Sequence, residues 1–139
     1  MWIIETSCKT SAEKEKIWEL WADVNQWNVW DKEVEYVEIF GSFDKGTKGI
    51  LKPKNGPKTT FEIVECQSLK SFTTRSILPF CKMDFIHQLN EKDNQLEISH
   101  RVEMTGFMTF LFSKIIGKNI KKGLPKAVET LVKLAEKSN

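Results

Sequence analysis

No apolar run in this chain approaches the roughly twenty residues that a membrane-spanning helix needs. Met1 leads directly into Trp2-Ile3-Ile4, with no basic segment before it and no small-residue cleavage site after it. That pattern argues against a secretory signal and gives cytoplasm as the expected location. Cysteine is scarce: Cys8, Cys66 and Cys81 are odd in number and widely spaced, and no pair has zinc-site or thioredoxin spacing. Buried or half-buried thiols are expected. Gly41, Gly46 and Gly49 stand outside any Gly-Lys-Ser/Thr or Gly-x-Gly-x-x-Gly arrangement, so they read as turn and bulge glycines rather than a phosphate loop. Repeats, low-complexity tracts and interdomain linkers are also missing, and 139 residues are expected to form one domain, 1–139. A net charge of +2 is too small to call for a nucleic-acid partner. With only two histidines, no metal site or cofactor is expected.

What the chain does have is a long apolar stripe at its C-terminal end. Met108, Leu111, Phe112, Ile115, Ile116, Ile120, Leu124, Ala127, Val128, Leu131, Leu134 and Ala135 recur at steps of three and four, the spacing of one helix face. Lysines stand between them, which predicts a helix over Phe107–Lys137 whose outer, basic face is solvated rather than set against a membrane. Pro125 lacks a donor and crowds the carbonyl four residues back, so a bend is expected at Gly123–Pro125.

Ahead of this helix the chain reads mostly as strands. Trp2–Cys8 is the first. A short helix opening at Glu13 or Lys14 follows, capped by Thr10 or Ser11, with Ile17, Trp18, Leu20 and Trp21 on its apolar side. Trp27 and Trp30, three apart, suit one helical turn and are expected to plug the sheet. From Val34 the period changes to two, giving strands at Val34–Phe40, Thr47–Lys52, Lys58–Gln67, Ser71–Ile77, Phe80–Asn90 and Leu96–Thr105. Short turns between them predict an antiparallel meander.

Alternation also orients the last strands. Leu96, Ile98, His100, Val102 and Met104 share the apolar face of one, and Met83, Phe85, His87 and Leu89 share that of the other. If Asp93-Asn94 is a two-residue type I′ turn, Lys92 pairs with Gln95 and His87 comes to lie opposite His100. Both histidines then point inward, and burial should depress at least one of their pKa values. Their role stays open among a polar pair in the wall, an anchor for a ligand's carbonyl or hydroxyl, an acid–base pair and half of a metal site. Phe72, Thr74 and Ser76 should share a face with Phe61 and Ile63. Phe112, Ile115, Ile116, Asn119 and Leu124 should form the lid.

The order strand, two helices, six strands, long helix resembles the START-like (SRPBCC) superfamily, and within it the polyketide cyclase/dehydrase type. Thr10-Ser11-Ala12-Glu13-Lys14-Glu15-Lys16-Ile17-Trp18, Ala22-Asp23-Val24 with Trp27 and Trp30, Phe40-Gly41-Ser42-Phe43 with Gly46, and the amphipathic last helix carry the resemblance. It implies an α+β helix-grip fold, a curved antiparallel sheet wrapped around a long C-terminal helix. It also implies a hydrophobic cavity that takes a lipid- or polyketide-like small molecule. The ligand-binding residues expected from the counting are His87, His100, Phe85, Met83, Ile98, Val102, Met104, Phe72, Thr74, Phe112, Ile116 and Leu124. The alternatives are a cyclase, dehydratase or hydrolase acting on an aromatic or polyketide-like substrate, and a partner-binding module with a vestigial cavity. The family has no universal catalytic motif to carry over. Partners expected are a small hydrophobic ligand and, at most, a second copy in a weak homodimer, with no stable membrane insertion. Nine Phe and five Trp are enough to fill such a cavity.

Overall fold

The computed structural model describes residues 1–137. β1 (Trp2–Thr10) is followed by α1 (Lys14–Ala22), a 3-10 turn at Val24–Gln26 and the one-turn helix α2 (Trp27–Trp30). Then come β2 (Val34–Ile39), β3 (Lys48–Pro53), β4 (Thr59–Gln67), β5 (Ser71–Leu78), β6 (Cys81–Lys92) and β7 (Gln95–Thr105). Two helices finish the chain, α3 (Thr109–Ile115) and α4 (Gly117–Lys137). The seven strands form one antiparallel sheet in the order β1-β7-β6-β5-β4-β3-β2. The first strand closes against the last because β1 pairs along its whole length with β7, from Trp2 opposite Met104 to Thr10 opposite Leu96.

The β6–β7 register is the predicted one. Asp93 and Asn94 both have positive φ, 54° and 63°, as a type I′ turn requires. Lys92 then meets Gln95, and the ladder runs through Leu89–Ile98, His87–His100, Phe85–Val102 and Met83–Met104. A slip by one residue would turn the apolar face to solvent, so the buried face and the turn fix the same answer.

Three local expectations change. Neither Thr10 nor Ser11 caps α1; its N-cap is Glu13, with no side-chain bond to the helix. Thr10 is used otherwise: its hydroxyl donates to Glu136 at 2.8 Å and accepts from the Ala12 amide, tying the start of α1 to the end of α4. The C-terminal helix runs through Pro125 without interruption, and the break falls at Ile116, between α3 and α4. Pro125 is exposed, so water can satisfy the carbonyl it leaves free. At Gly117 a Cβ would lie 3.0 Å from the Trp2 ring, so the helix comes that close to β1 only at a glycine, a poor helix former. Finally, Gly49 marks no bulge; the ladder shifts lie between Val34 and Tyr36 and between Ile63 and Glu65.

The buried side chains divide into two clusters along the space beneath α4. One gathers Ile17, Trp21, Trp27, Trp30, Phe61, Ile63, Phe72 and Ile98 with Val128, Leu131 and Val132 of α4. The other is smaller: Cys81, Met83, Val102 and Met104, with partly buried Trp2, Phe85, Met108, Phe112, Ile116, Ile120 and Leu124 around it. Cys8, Cys66 and Cys81 are free thiols, the first two half-buried and the third buried.

Candidate functional site

His87 and His100 face each other across the β6–β7 ladder with ring centroids 4.5 Å apart. Both are buried, at 6% and 3% exposure. Aromatic rings enclose them. Phe72, opposite His87 on β5, stacks flat on it at 4.0 Å. Trp21 of α1 lies 5.6 Å from His87 and 5.7 Å from His100, and Trp30 lies 5.8 Å from His100. Trp27 packs on both Phe72 and His87. The two tryptophans of α2 do plug the sheet, and Trp21 joins them from α1.

Hydrogen bonds fix this cluster. Trp21 Nε1 donates to His100 Nε2 at 3.2 Å, which requires His100 to be neutral with its proton on Nδ1. Trp27 Nε1 donates to the Trp21 carbonyl at 2.8 Å and so locks α2 onto α1. Among the described residues, two buried polar side-chain atoms have no hydrogen-bond partner: Trp30 Nε1 and His87 Nδ1. Burial drives the His87 pKa down to about 3, only partly offset by nearby backbone of Phe72 and Phe85. His100 is held well below the ordinary histidine range, first by burial and then by the charge His87 would place beside it. Imidazoles so strongly desolvated stay neutral at pH 7, and general acid–base work near neutrality needs a pKa nearer that pH. No group of three metal-ligating side chains occurs among the described residues. The Cys66 thiol points at the Phe43 carbonyl, 3.8 Å away.

The other end of the space is less tightly closed. Met83, Val102 and Met104 are buried. Phe85 sits on the same inward face of β6, between Met83 and His87, yet remains partly exposed. Facing it, Phe112, Ile116, Ile120 and Leu124 are also only partly buried. Thr74 pairs with Phe85 and Ser76 with Met83, so two small polar side chains border this end. Both residues are buried, yet among the described residues neither hydroxyl has a hydrogen-bond partner, and neither oxygen is sealed off.

The predicted ligand residues therefore separate. His87, His100, Phe72 and Ile98 belong to the packed aromatic end. Met83, Phe85, Val102, Met104, Phe112, Ile116 and Leu124 surround the looser end, with Thr74 on its border. Ile115 and Asn119, expected in the lid, are exposed instead. Met108, Ile120 and Ser76 belong to the looser end and were absent from the expected set. The helical stripe contained the first two, and strand alternation the third. Two surface concavities lie elsewhere, one on the outer face of β4–β6 lined by residues such as Glu65, Arg75 and Asp84, the other between Ser11–Glu15 and the β6–β7 hairpin. Neither touches the histidines.

The sequence matches no family model and no curated protein. Solved structures match over nearly the whole chain. Norcoclaurine synthase from Thalictrum flavum superposes with a TM-score of 0.74 at 14% identity, covering 99% of this chain and 95% of that one. Ara h 8.0201 gives 0.74 at 13% identity, covering 99% of each chain. The di-domain ARO/CYC protein StfQ of the steffimycin pathway gives 0.78 at 10% identity, covering 98% of this chain and 51% of that one. Identities this low speak for the fold. All three are START/Bet v 1 proteins, and the seven-stranded antiparallel sheet with its long last helix matches their helix-grip fold. The chain carries the helix-grip fold of the START-like (SRPBCC) superfamily.

Proposed function

We propose that the protein binds a small hydrophobic molecule between the sheet and the α3–α4 pair, at the end bounded by Met83, Phe85, Val102 and Met104. The observation that carries this reading is Phe85. It is a large apolar side chain on the inward face, flanked by buried neighbours on both strands, and still partly exposed. An inward phenylalanine that keeps water contact marks space that packing has not filled, and apolar surface there favours an apolar occupant. Thr74 and Ser76 place two unpaired hydroxyls on the border, so the ligand carries one or two hydrogen-bonding groups. The histidine pair acts as the back wall, not as an anchor, because aromatic rings cover it on every side named above. Fold relatives are in keeping with this: norcoclaurine synthase has been solved holding dopamine and hydroxybenzaldehyde.

Native mass spectrometry of protein purified from cells, followed by extraction, identifies any bound small molecule. Nile red supplies the quantitative test. It should bind in the micromolar range, and Leu124→Trp, which overfills the space, should weaken it about tenfold or more. Phe107→Ser, outside the gap, should leave it unchanged. Binding indifferent to Leu124→Trp would place the dye elsewhere and end the proposal.

A further inference from the structure

The chain's exposed apolar side chains are unevenly placed. Among the described residues eleven large hydrophobics are exposed, and six of them are Ile77, Phe80, Phe107, Phe110, Leu111 and Ile115. All six belong to two segments that the backbone ties together: the end of β5 with the β5–β6 turn, and the β7–α3 junction with α3. Lys82 pairs with Thr105, and the Met108 amide donates to the Phe80 carbonyl at 2.9 Å. Gly106 (φ +116°) packs so closely that a Cβ would lie 2.6 Å from that same carbonyl. The six therefore form one tip of the molecule rather than scattered exposures. Singly exposed apolar residues are ordinary; a grouped set is not.

Two features show that the grouping is not incidental. Phe80 has φ +54° at the tip of its turn, a conformation that costs a bulky side chain free energy and that Gly or Asn would adopt more easily. Phe80 and Phe107 are nonetheless 78% and 80% exposed, so neither contributes to the core in return. Charge is the second feature. Residues 77–82 and 105–122 contain Lys82, Lys114, Lys118, Lys121 and Lys122 and no carboxylate. All five are exposed, and none has an ion-pair partner among the described residues. Since the whole chain nets +2, the remainder is net negative by three, so these two segments carry the excess positive charge.

We propose that this tip docks the protein reversibly on an anionic lipid bilayer. Phe80, Phe107, Phe110 and Leu111 enter the interfacial region, and the five lysines lie at the level of the negative headgroups. An apolar tip whose own segments carry five exposed lysines and no carboxylate has the chemistry of such a surface, where insertion and attraction add. A second copy of the chain fits less well, because two tips meeting face to face would bring ten unpaired lysines together. Insertion stays shallow, since no helix is long and apolar enough to cross a membrane. This proposal goes beyond the ligand reading and does not depend on it.

Co-sedimentation with vesicles tests it on the full chain. Vesicles of equal parts phosphatidylcholine and phosphatidylglycerol should bind the protein, phosphatidylcholine alone should bind it far less, and added salt should release it. Lys118→Glu with Lys121→Glu should weaken binding about fivefold or more for each site. Phe107→Ser with Phe110→Ser should abolish sedimentation while the circular dichroism melt stays as in the parent, because both rings are exposed. Lys133→Glu, at the far end of α4, serves as the control and should have little effect. Three results would each overturn the proposal: no binding to anionic vesicles, equal loss from the Lys133 control, or light scattering that shows a dimer dissolved by Phe107→Ser. None of these bears on Leu124→Trp and Nile red, so the two proposals fail separately.

Discussion

The two ends of the space under the C-terminal helix rest on the same three strands, β5, β6 and β7, and are finished differently. At one end three tryptophans from α1 and α2 come down onto Phe72, His87 and His100 and close it. At the other, no helix from the first part of the chain reaches over. The roof is α3 and the start of α4, and their apolar side chains stay partly exposed. The lesson is that a helix-grip sheet does not determine a cavity. What fills the space is decided by which large side chains the short N-terminal helices carry and where those helices land.

The sharpest way to break this contrast is Trp21→Ala. Trp21 is fully buried, contacts both histidines and supplies the proton that His100 Nε2 accepts. Its removal leaves a large cavity and an unpaired buried nitrogen, and should cost about 3–5 kcal/mol. Urea unfolding measures it. A loss under about 1 kcal/mol would mean that the aromatic end is no better packed than the other.

Acid should act next most strongly, and at the same end. The fold holds both histidines neutral, whereas in the unfolded chain they protonate near pH 6.5. Below about pH 6.5 the unfolded chain therefore binds more protons, and stability falls with pH down to the folded values, which for His87 is about 3. Each histidine contributes about 1.4 kcal/mol per pH unit. Asp31 opposes them. Burial lifts its pKa from 3.8 to about 6, so between these values the folded chain holds a proton that the unfolded chain lacks, and stability rises as pH falls. The net loss between about pH 6.5 and 4.5 should be on the order of 3 kcal/mol. Asp31→Asn should steepen it. Two histidine NMR titrations near pH 6.5 would show that water reaches the aromatic end, and the contrast would fail.

The smallest effect belongs to the looser end. Phe112→Ala, on α3, should cost about 1 kcal/mol or less in ligand-free protein, because that ring is only partly buried. The same truncation should weaken Nile red binding. A cost comparable with that of Trp21→Ala would show this end to be packed core, leaving no space for a ligand.

Much of the fold was legible because its signals are local. Asp93-Asn94 announced a type I′ turn, and strict alternation on both flanking strands placed His87 opposite His100 without any knowledge of the rest. The stripe from Met108 to Ala135 announced the last helix for the same reason. The break at Ile116 was not foreseen, because no proline marks it and the close contact beside it, Gly117 against the Trp2 ring, joins residues over a hundred positions apart. The candidate site was legible only as a list. Counting showed which residues face inward but not which of them another element covers.

By itself, then, the sequence determined the elements, the meander, the β6–β7 register and the inward faces, since each follows from periodicity and turn chemistry within a few residues. The tertiary structure alone decided that Trp21, Trp27 and Trp30 seal the histidines while Phe85 stays open. It also decided that two segments some thirty residues apart in the chain join into one apolar tip. Those outcomes depend on where separate elements meet, and burial is a property of that meeting rather than of any one stretch of chain.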